Sequence, residues 1–194
     1  MDWVKDGSIK SVSGESIFEL KKGHKHSVVN IVGKSGNFSA DEKSAFLELV
    51  LGDDKSDLAN GVRLTCHAAN PDPKVKAEVW KDLTDKDGTR SLYEKRSLMA
   101  GFYSLDHIDS CSMYFDKFFE CLEQVHNDHT YKYLSTFFYM MLPRMRIEDR
   151  HIVMLINVKS QVPDTSSMFM NILQDGIELL LRSKNIRERA MSKM

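Results

Sequence analysis

The chain has 194 residues, 42% of them hydrophobic, with 27 Lys and Arg set against 28 Asp and Glu. That apolar content is enough for a continuous core, and the net charge of −1 argues against a general nucleic-acid binder. No apolar run reaches the roughly 18 residues a membrane span needs. The polar start Met1-Asp2-Trp3-Val4-Lys5-Asp6-Gly7 lacks the apolar segment of a signal peptide. Cys66, Cys111 and Cys121 are odd in number and show no C-x-x-C spacing. They read as buried free thiols in a reducing compartment, so a cytoplasmic location is expected.

Residues 1–38 carry the weakest pattern. Val28-Val29-Asn30-Ile31-Val32 suits a strand as well as a helix capped by Gly36, and the helix is taken. His24-Lys25-His26 reads as a polar loop. From residue 39 helix signals recur. Ser39-Ala40-Asp41-Glu42 is a capping box, followed by Phe46, Leu47 and Val50. Asp53-Asp54 precedes a helix whose stripe is Leu58, Val62, Cys66 and Ala69. That helix ends near Asn70-Pro71. Asp72 is then an N-cap and Pro73 a first helical residue, where a missing N–H costs nothing. Val75, Val79, Trp80 and Leu83 give this helix an apolar face, and so short a turn lays the two helices antiparallel. Thr84 to Gly88 has turn composition.

Ser91-Leu92-Tyr93-Glu94 is a second capping box, leading to Leu98, Met99 and Phe102. Ile108, Cys111, Phe115, Phe118, Leu122 and Val125 alternate by three and four residues, the best stripe in the chain. A helix follows from about Asn127-Asp128, with Tyr131, Leu134, Phe138 and Met141 on one face, and Pro143 stops it. Ile152, Leu155 and Ile156 mark a helix ending before Pro163. The last helix starts near Thr165-Ser166 and carries Phe169, Ile172, Leu173, Ile177 and Leu180. It ends on Arg182, Lys184, Arg187 and Arg189, which complement the negative end of its dipole.

Every second helix start falls about 35–40 residues further on, the period of two-helix repeats. The expected fold is all-α: an irregular HEAT- or armadillo-like right-handed solenoid of antiparallel helix pairs. It would occupy residues 39–194, preceded by an N-terminal segment, 1–38, that is partly helical or poorly ordered. Ile17, Phe18, Leu20, Val28 and Ile31 make that segment the expected site of exposed apolar surface and of self-association.

Catalytic chemistry is not evident. None of the seven His is followed by Glu, so the zinc motif His-Glu-x-x-His is absent. His126 and His129 flank a turn, and two ligands do not make a metal site. No nucleophile is paired with a base at a recognisable spacing, and there is no G-x-S-x-G or Walker-type loop. Phe115, Phe118, Phe119, Phe137, Phe138 and Tyr139 sit at helical spacing and read as core, not as a base-stacking platform. Arg144, Arg146 and Arg150, clustered after Pro143, are the only candidate contacts, for a peptide or an anion. No catalytic, cofactor-binding or metal-ligating residue is assigned.

Read in order, these segments resemble a known domain. Pro71-Asp72-Pro73 with Lys76-Ala77-Glu78-Val79-Trp80 is similar to the Pro-Asp/Thr-Pro start and Lys-Ala-Glu-x-Trp of the C-terminal helical domain of zinc aminopeptidases, the aminopeptidase N and endoplasmic-reticulum aminopeptidase type. Gly101-Phe102 resembles the Gly-Phe pair that follows there, Tyr114-Phe115 the Tyr-Phe pair, and Met141-Leu142-Pro143 a Leu-Phe-Pro end. Gly176-Ile177-Glu178 through Arg182 matches the closing apolar helix with its basic end. The order and spacing hold from about residue 40 to 185, although no single motif is specific. Val125-His126-Asn127-Asp128-His129-Thr130 stands where members often have Trp-x-x-Arg-Ser, so no role tied to that Arg carries over.

The resemblance implies a fragment, the last domain of a larger peptidase. The zinc site and Gly-x-Met-Glu-Asn loop would lie upstream in a separate catalytic domain of the same polypeptide. This domain would form a bowl over it, limit peptide length and touch the peptide's C-terminal side. Zinc would belong to the full-length enzyme, where it activates the water that attacks the first peptide bond. The alternative is a free-standing helical-repeat scaffold that binds protein partners.

Overall fold

In the computed structural model, residues 8–10, 13, 16–19, 21–163 and 166–192 are described. Eleven α-helices make up the body of these residues. The exception to the all-α expectation is a two-stranded antiparallel ribbon, β1 (Ser8–Lys10) and β2 (Ser16–Glu19). Its register pairs Ile9 with Phe18 and slips between Ile9 and Lys10.

α1 (Lys22–Lys34) begins well before the apolar run that signalled it. His24-Lys25-His26 is therefore helical and not a loop, and His26 is buried. The helix ends on Ser35, one residue short of Gly36, whose N–H donates to Asp106 Oδ2 at 2.7 Å. α2 (Ala40–Leu51) starts on the Ser39–Glu42 box as read: Ser39 Oγ accepts the Glu42 N–H at 3.2 Å and Glu42 Oε2 accepts the Ser39 N–H at 2.8 Å. Gly52 ends it with φ of +43°, a conformation few other residues adopt. α3 (Asp57–Ala68) is capped by Ser56. In its first turn Ala59 takes the buried place, leaving Leu58 exposed and outside the expected stripe.

α4 (Pro73–Thr84) has Asp72 as N-cap, with Asp72 Oδ1 accepting the Lys74 N–H at 2.8 Å. α5 (Leu92–Phe102) starts on the Ser91–Glu94 box. A 3-10 turn (Leu105–His107) leads into α6 (Ile108–Cys111), α7 (Met113–Glu120) and α8 (Leu122–Asp128), three short helices that together carry the long stripe. The next helix, α9 (Tyr131–Met141), starts later than Asn127-Asp128, because Thr130 supplies the cap oxygen for the Tyr133 N–H. α10 (Asp149–Gln161) and α11 (Ser167–Met191) complete the chain.

Packing follows a simple series. α1 lies against α3, α3 against α5, α5 against α9 and α9 against α11. α2 packs on α1, α4 on α3 and α5, α8 on α9, and α10 on α7 and α11. Two apolar clusters result. The smaller joins Val29, Val32, Phe46, Leu51, Ala59 and Val62 from α1, α2 and α3. The larger runs from Ala68 to Leu180 through the rest of the chain. α1 thus shares a core with α2 and α3, and no break in packing falls at residue 38. Ile31 is exposed, at 68%. The side chains of Ile17, Phe18 and Leu20 lie outside the described residues.

The tightest approaches that the described glycines permit are at Gly101 and Gly176. A Cβ on Gly101 of α5 would stand 2.0 Å from the Thr65 carbonyl oxygen of α3. Thr65 Oγ1 spans the same crossing, within hydrogen-bond distance of Gly61 O at 2.9 Å and of Ser97 O at 3.0 Å, so its proton is shared between the two carbonyls. A Cβ on Gly176 of α11 would meet the Phe138 ring of α9 at 2.4 Å.

Candidate functional site

The joint between α3 and α4 gathers the residues that the sequence singled out. Lys76 lies on the buried side of α4, beside Val79, and is fully enclosed. Its ammonium donates to Ala68 O at 2.6 Å and to Phe102 O at 2.5 Å, the carbonyls that end α3 and α5. It also lies 4.8 Å from the centre of the Phe102 ring. Cys111 Sγ donates to the same Phe102 carbonyl at 3.3 Å. Helix-end carbonyls have no partner within their own helix, so a buried cation between two of them satisfies both. Burial lowers the Lys76 pKa from its ordinary value, opposed by Cys111.

Trp80, one turn on, is half-buried rather than enclosed. Its ring packs 5.1 Å from Tyr114, 5.8 Å from Phe102 and 6.2 Å from Phe137, centre to centre. Lys76, Trp80, Gly101, Phe102 and Tyr114 therefore meet at one place. Their arrangement locks four helices together and leaves no free acid, base or nucleophile there. Phe115, Phe118, Phe119, Phe137 and Phe138 are buried as expected. Tyr139 is exposed at 37%, and its hydroxyl donates to Asp175 Oδ2 at 2.7 Å.

The arginines after Pro143 are not equivalent. Arg150 Nε donates to Glu148 Oε2 at 2.7 Å and its Nη1 pairs with Asp116 of α7. Arg146 Nε lies 3.5 Å from Glu148 Oε1, and its Nη1 4.0 Å from Asp109. Both are partly neutralised where they stand. Arg144 is exposed, and among the described residues its guanidinium has no ion-pair partner, while its carbonyl accepts from Arg187 at 2.9 Å. Of the three, Arg144 alone is free to meet an anion.

Beneath Arg150 sits a pair that sequence reasoning missed. His151 is fully buried between the rings of Phe119 and Phe115. Its Nδ1 accepts the Glu148 N–H at 3.3 Å, which places the proton on Nε2. Nε2 then faces Asp116 Oδ1 at 3.3 Å, close enough for attraction but off the line of a hydrogen bond. Burial, then Arg150, lowers the His151 pKa, against the raising effect of Glu148 and Asp116. The pair resembles a catalytic Asp–His dyad only in composition, because the ring edge is sealed from any substrate.

Other candidates resolve in the same way. His126 stacks on Phe169 at 4.3 Å and His129 tilts against Tyr133 at 4.4 Å, so each ring of that turn is anchored on an aromatic. Among the described residues no group of three or more His, Cys, Asp or Glu is placed to hold a metal. Burial pushes the Cys66 thiol up to about 11 and the Cys121 thiol up to about 12, which suppresses the thiolate needed for nucleophilic work. No helix is long and apolar enough to cross a membrane among the described residues. No known protein-family model matches the chain, and no curated protein matches it.

Proposed function

We propose that the chain is the substrate-enclosing C-terminal domain of a zinc aminopeptidase, built as an irregular HEAT-like stack that closes a peptide cavity over a catalytic domain elsewhere in the polypeptide. One observation carries the reading: Lys76, Trp80, Gly101, Phe102, Tyr114 and Gly176, among the residues that carry the resemblance, are contact points of the packed interior. Gly101 permits the α3–α5 approach, Phe102 lies under Lys76 and Trp80, Tyr114 flanks Trp80, and Gly176 admits Phe138. Residues scattered over the chain thus converge on one packed interior. A rigid packed interior of this kind accords with a role in shaping a cavity. In this reading the series α1, α3, α5, α9 and α11 offers the wall, and Arg144 the free cation for an anionic peptide group.

The test is the reading frame upstream and the activity of the whole polypeptide. The expected result is a His-Glu-x-x-His motif in a preceding domain, with hydrolysis of aminoacyl-arylamides that a chelator abolishes. Deleting the region described here from that polypeptide should remove its dependence on peptide length. An upstream frame without the motif would overturn the reading. The exposed apolar residues Ile31, Leu58 and Tyr93 on α1, α3 and α5 would then favour the scaffold alternative.

A further inference from the structure

Between α1, α2 and α3 lies a cavity of about 340 Å³. Its size is that of a small-molecule site. Val29, Gly33, Phe38, Leu47 and Cys66 give it apolar walls. Its basic groups are Lys43, Arg63, His67 and His107, the Cys66 thiol is held neutral by burial, and no carboxylate lines it among the described residues.

These groups are not equally committed. The Arg63 guanidinium donates to Asp54 O and Gly52 O, both at 2.7 Å, and is occupied in tying the end of α2 to α3. His67 Nε2 stands 3.9 Å from Glu78 Oε1. The Lys43 ammonium has no hydrogen-bond or ion-pair partner among the described residues. His107 Nε2 is enclosed and has no hydrogen-bond partner there either. Of the acids next to these two residues in the chain, Asp106 spends an oxygen on the Gly36 N–H and Glu42 spends one on Ser39. An apolar chamber with an uncommitted ammonium and an unsatisfied imidazole nitrogen asks for an apolar body ending in an anionic acceptor.

We propose that this cavity binds a small apolar monocarboxylate of the medium-chain fatty-acid class, its chain between Phe38, Leu47 and Val29 and its carboxylate on Lys43 and His107. A neutral alcohol of the same length would fill the chamber without answering Lys43. A cation would be repelled. The inference is independent of the peptidase reading and survives its failure.

The test uses the whole chain with octanoate and 1-octanol as probes, by calorimetric titration. Octanoate should bind about tenfold more tightly than octanol, the size expected of a charge-assisted bond. Lys43→Met should remove that difference, and Leu47→Trp should abolish binding of both. Lys43 has no partner to lose, so its variant should keep the parent's urea midpoint and serve as the folded control if Leu47→Trp does not fold. Saturating octanoate should also slow alkylation of Cys66, read by mass spectrometry, and leave Cys121 unchanged. Equal binding of octanoate and octanol, an unchanged affinity in Lys43→Met, or no protection of Cys66 would each overturn the proposal.

Discussion

Gly101→Ala puts one methyl group into the crossing of α3 and α5. The new Cβ would stand 2.0 Å from the Thr65 carbonyl oxygen, about 1.4 Å inside the 3.4 Å at which ordinary contact begins. The obstacle is backbone, so no rotamer change relieves it, and α3 and α5 must move apart. Overpacking of this kind costs about 1–3 kcal/mol, and separating the helices stretches the Thr65 Oγ1 contact with Ser97 O, worth about 1 kcal/mol more. Alanine returns less than about 1 kcal/mol through helix propensity, since Gly101 is next to last in its helix. The net expectation is a loss of about 1–4 kcal/mol. For a domain of this size that lowers the melting temperature by about 2–15 °C. Thermal and urea unfolding followed by far-ultraviolet circular dichroism measure it. Thr65→Ala should not rescue the variant, because the obstructing atom is common to every residue. A melting temperature within about 1 °C of the parent, or rescue by Thr65→Ala, would refute the argument.

Lys76→Met should cost about 2–4 kcal/mol, because it strands two buried carbonyls that now bind a charge. The Lys76 pKa is lowered on folding, so the unfolded chain holds a proton that the folded chain releases earlier. Parent stability relative to Lys76→Met should therefore rise as pH increases toward 10.5, and a flat difference would count against the buried ammonium. His26, His129 and His151 are all lowered from 6.5, chiefly by burial. The unfolded chain then takes up protons that the folded chain refuses, and urea midpoints should fall as pH drops below 6.5. Trp80→Ala should cost about 2–4 kcal/mol, below a fully buried tryptophan because the ring is only half-buried, and its urea midpoint checks this. The isolated chain should not hydrolyse aminoacyl-arylamides, and a chelator-sensitive activity in a pure preparation would contradict that expectation.

Local signals in the sequence translated well. The Ser39, Asp72 and Ser91 caps act within three residues, so a linear reading contains both partners of each bond. The Thr130 cap was hidden because Asn127 and Asp128, equally good cap residues, sit just before it and instead end α8. Lys76 reads as surface from its charge alone. Its burial depends on two helix ends arriving from either side, one of them 26 residues away. The Asp116–His151 pair escaped for the same reason: α7 and α10 meet only in the folded chain. Leu58 is hydrophobic yet exposed, because in that turn the smaller Ala59 takes the buried place. The cavity by Lys43 left no linear trace, since its walls come from α1, α2 and α3 and from the turn before α6.

The division of the core into two clusters sets an order of opening. Six buried residues hold α1 and α2 onto the end of the molecule, and α3 alone belongs to both clusters, with Ala59 and Val62 in one and Ala68 in the other. The two-helix flap can peel away while Lys76 still clamps α3 to α5. Amides of Val29 and Val32 should thus exchange through a cheaper, partial unfolding than those of Phe118 or Phe137, which exchange only when the whole chain opens. Because the Lys43 cavity spans the seam between that flap and α3, any occupant would act as a latch. It would raise the cost of peeling by mass action and leave global unfolding of the larger cluster nearly untouched.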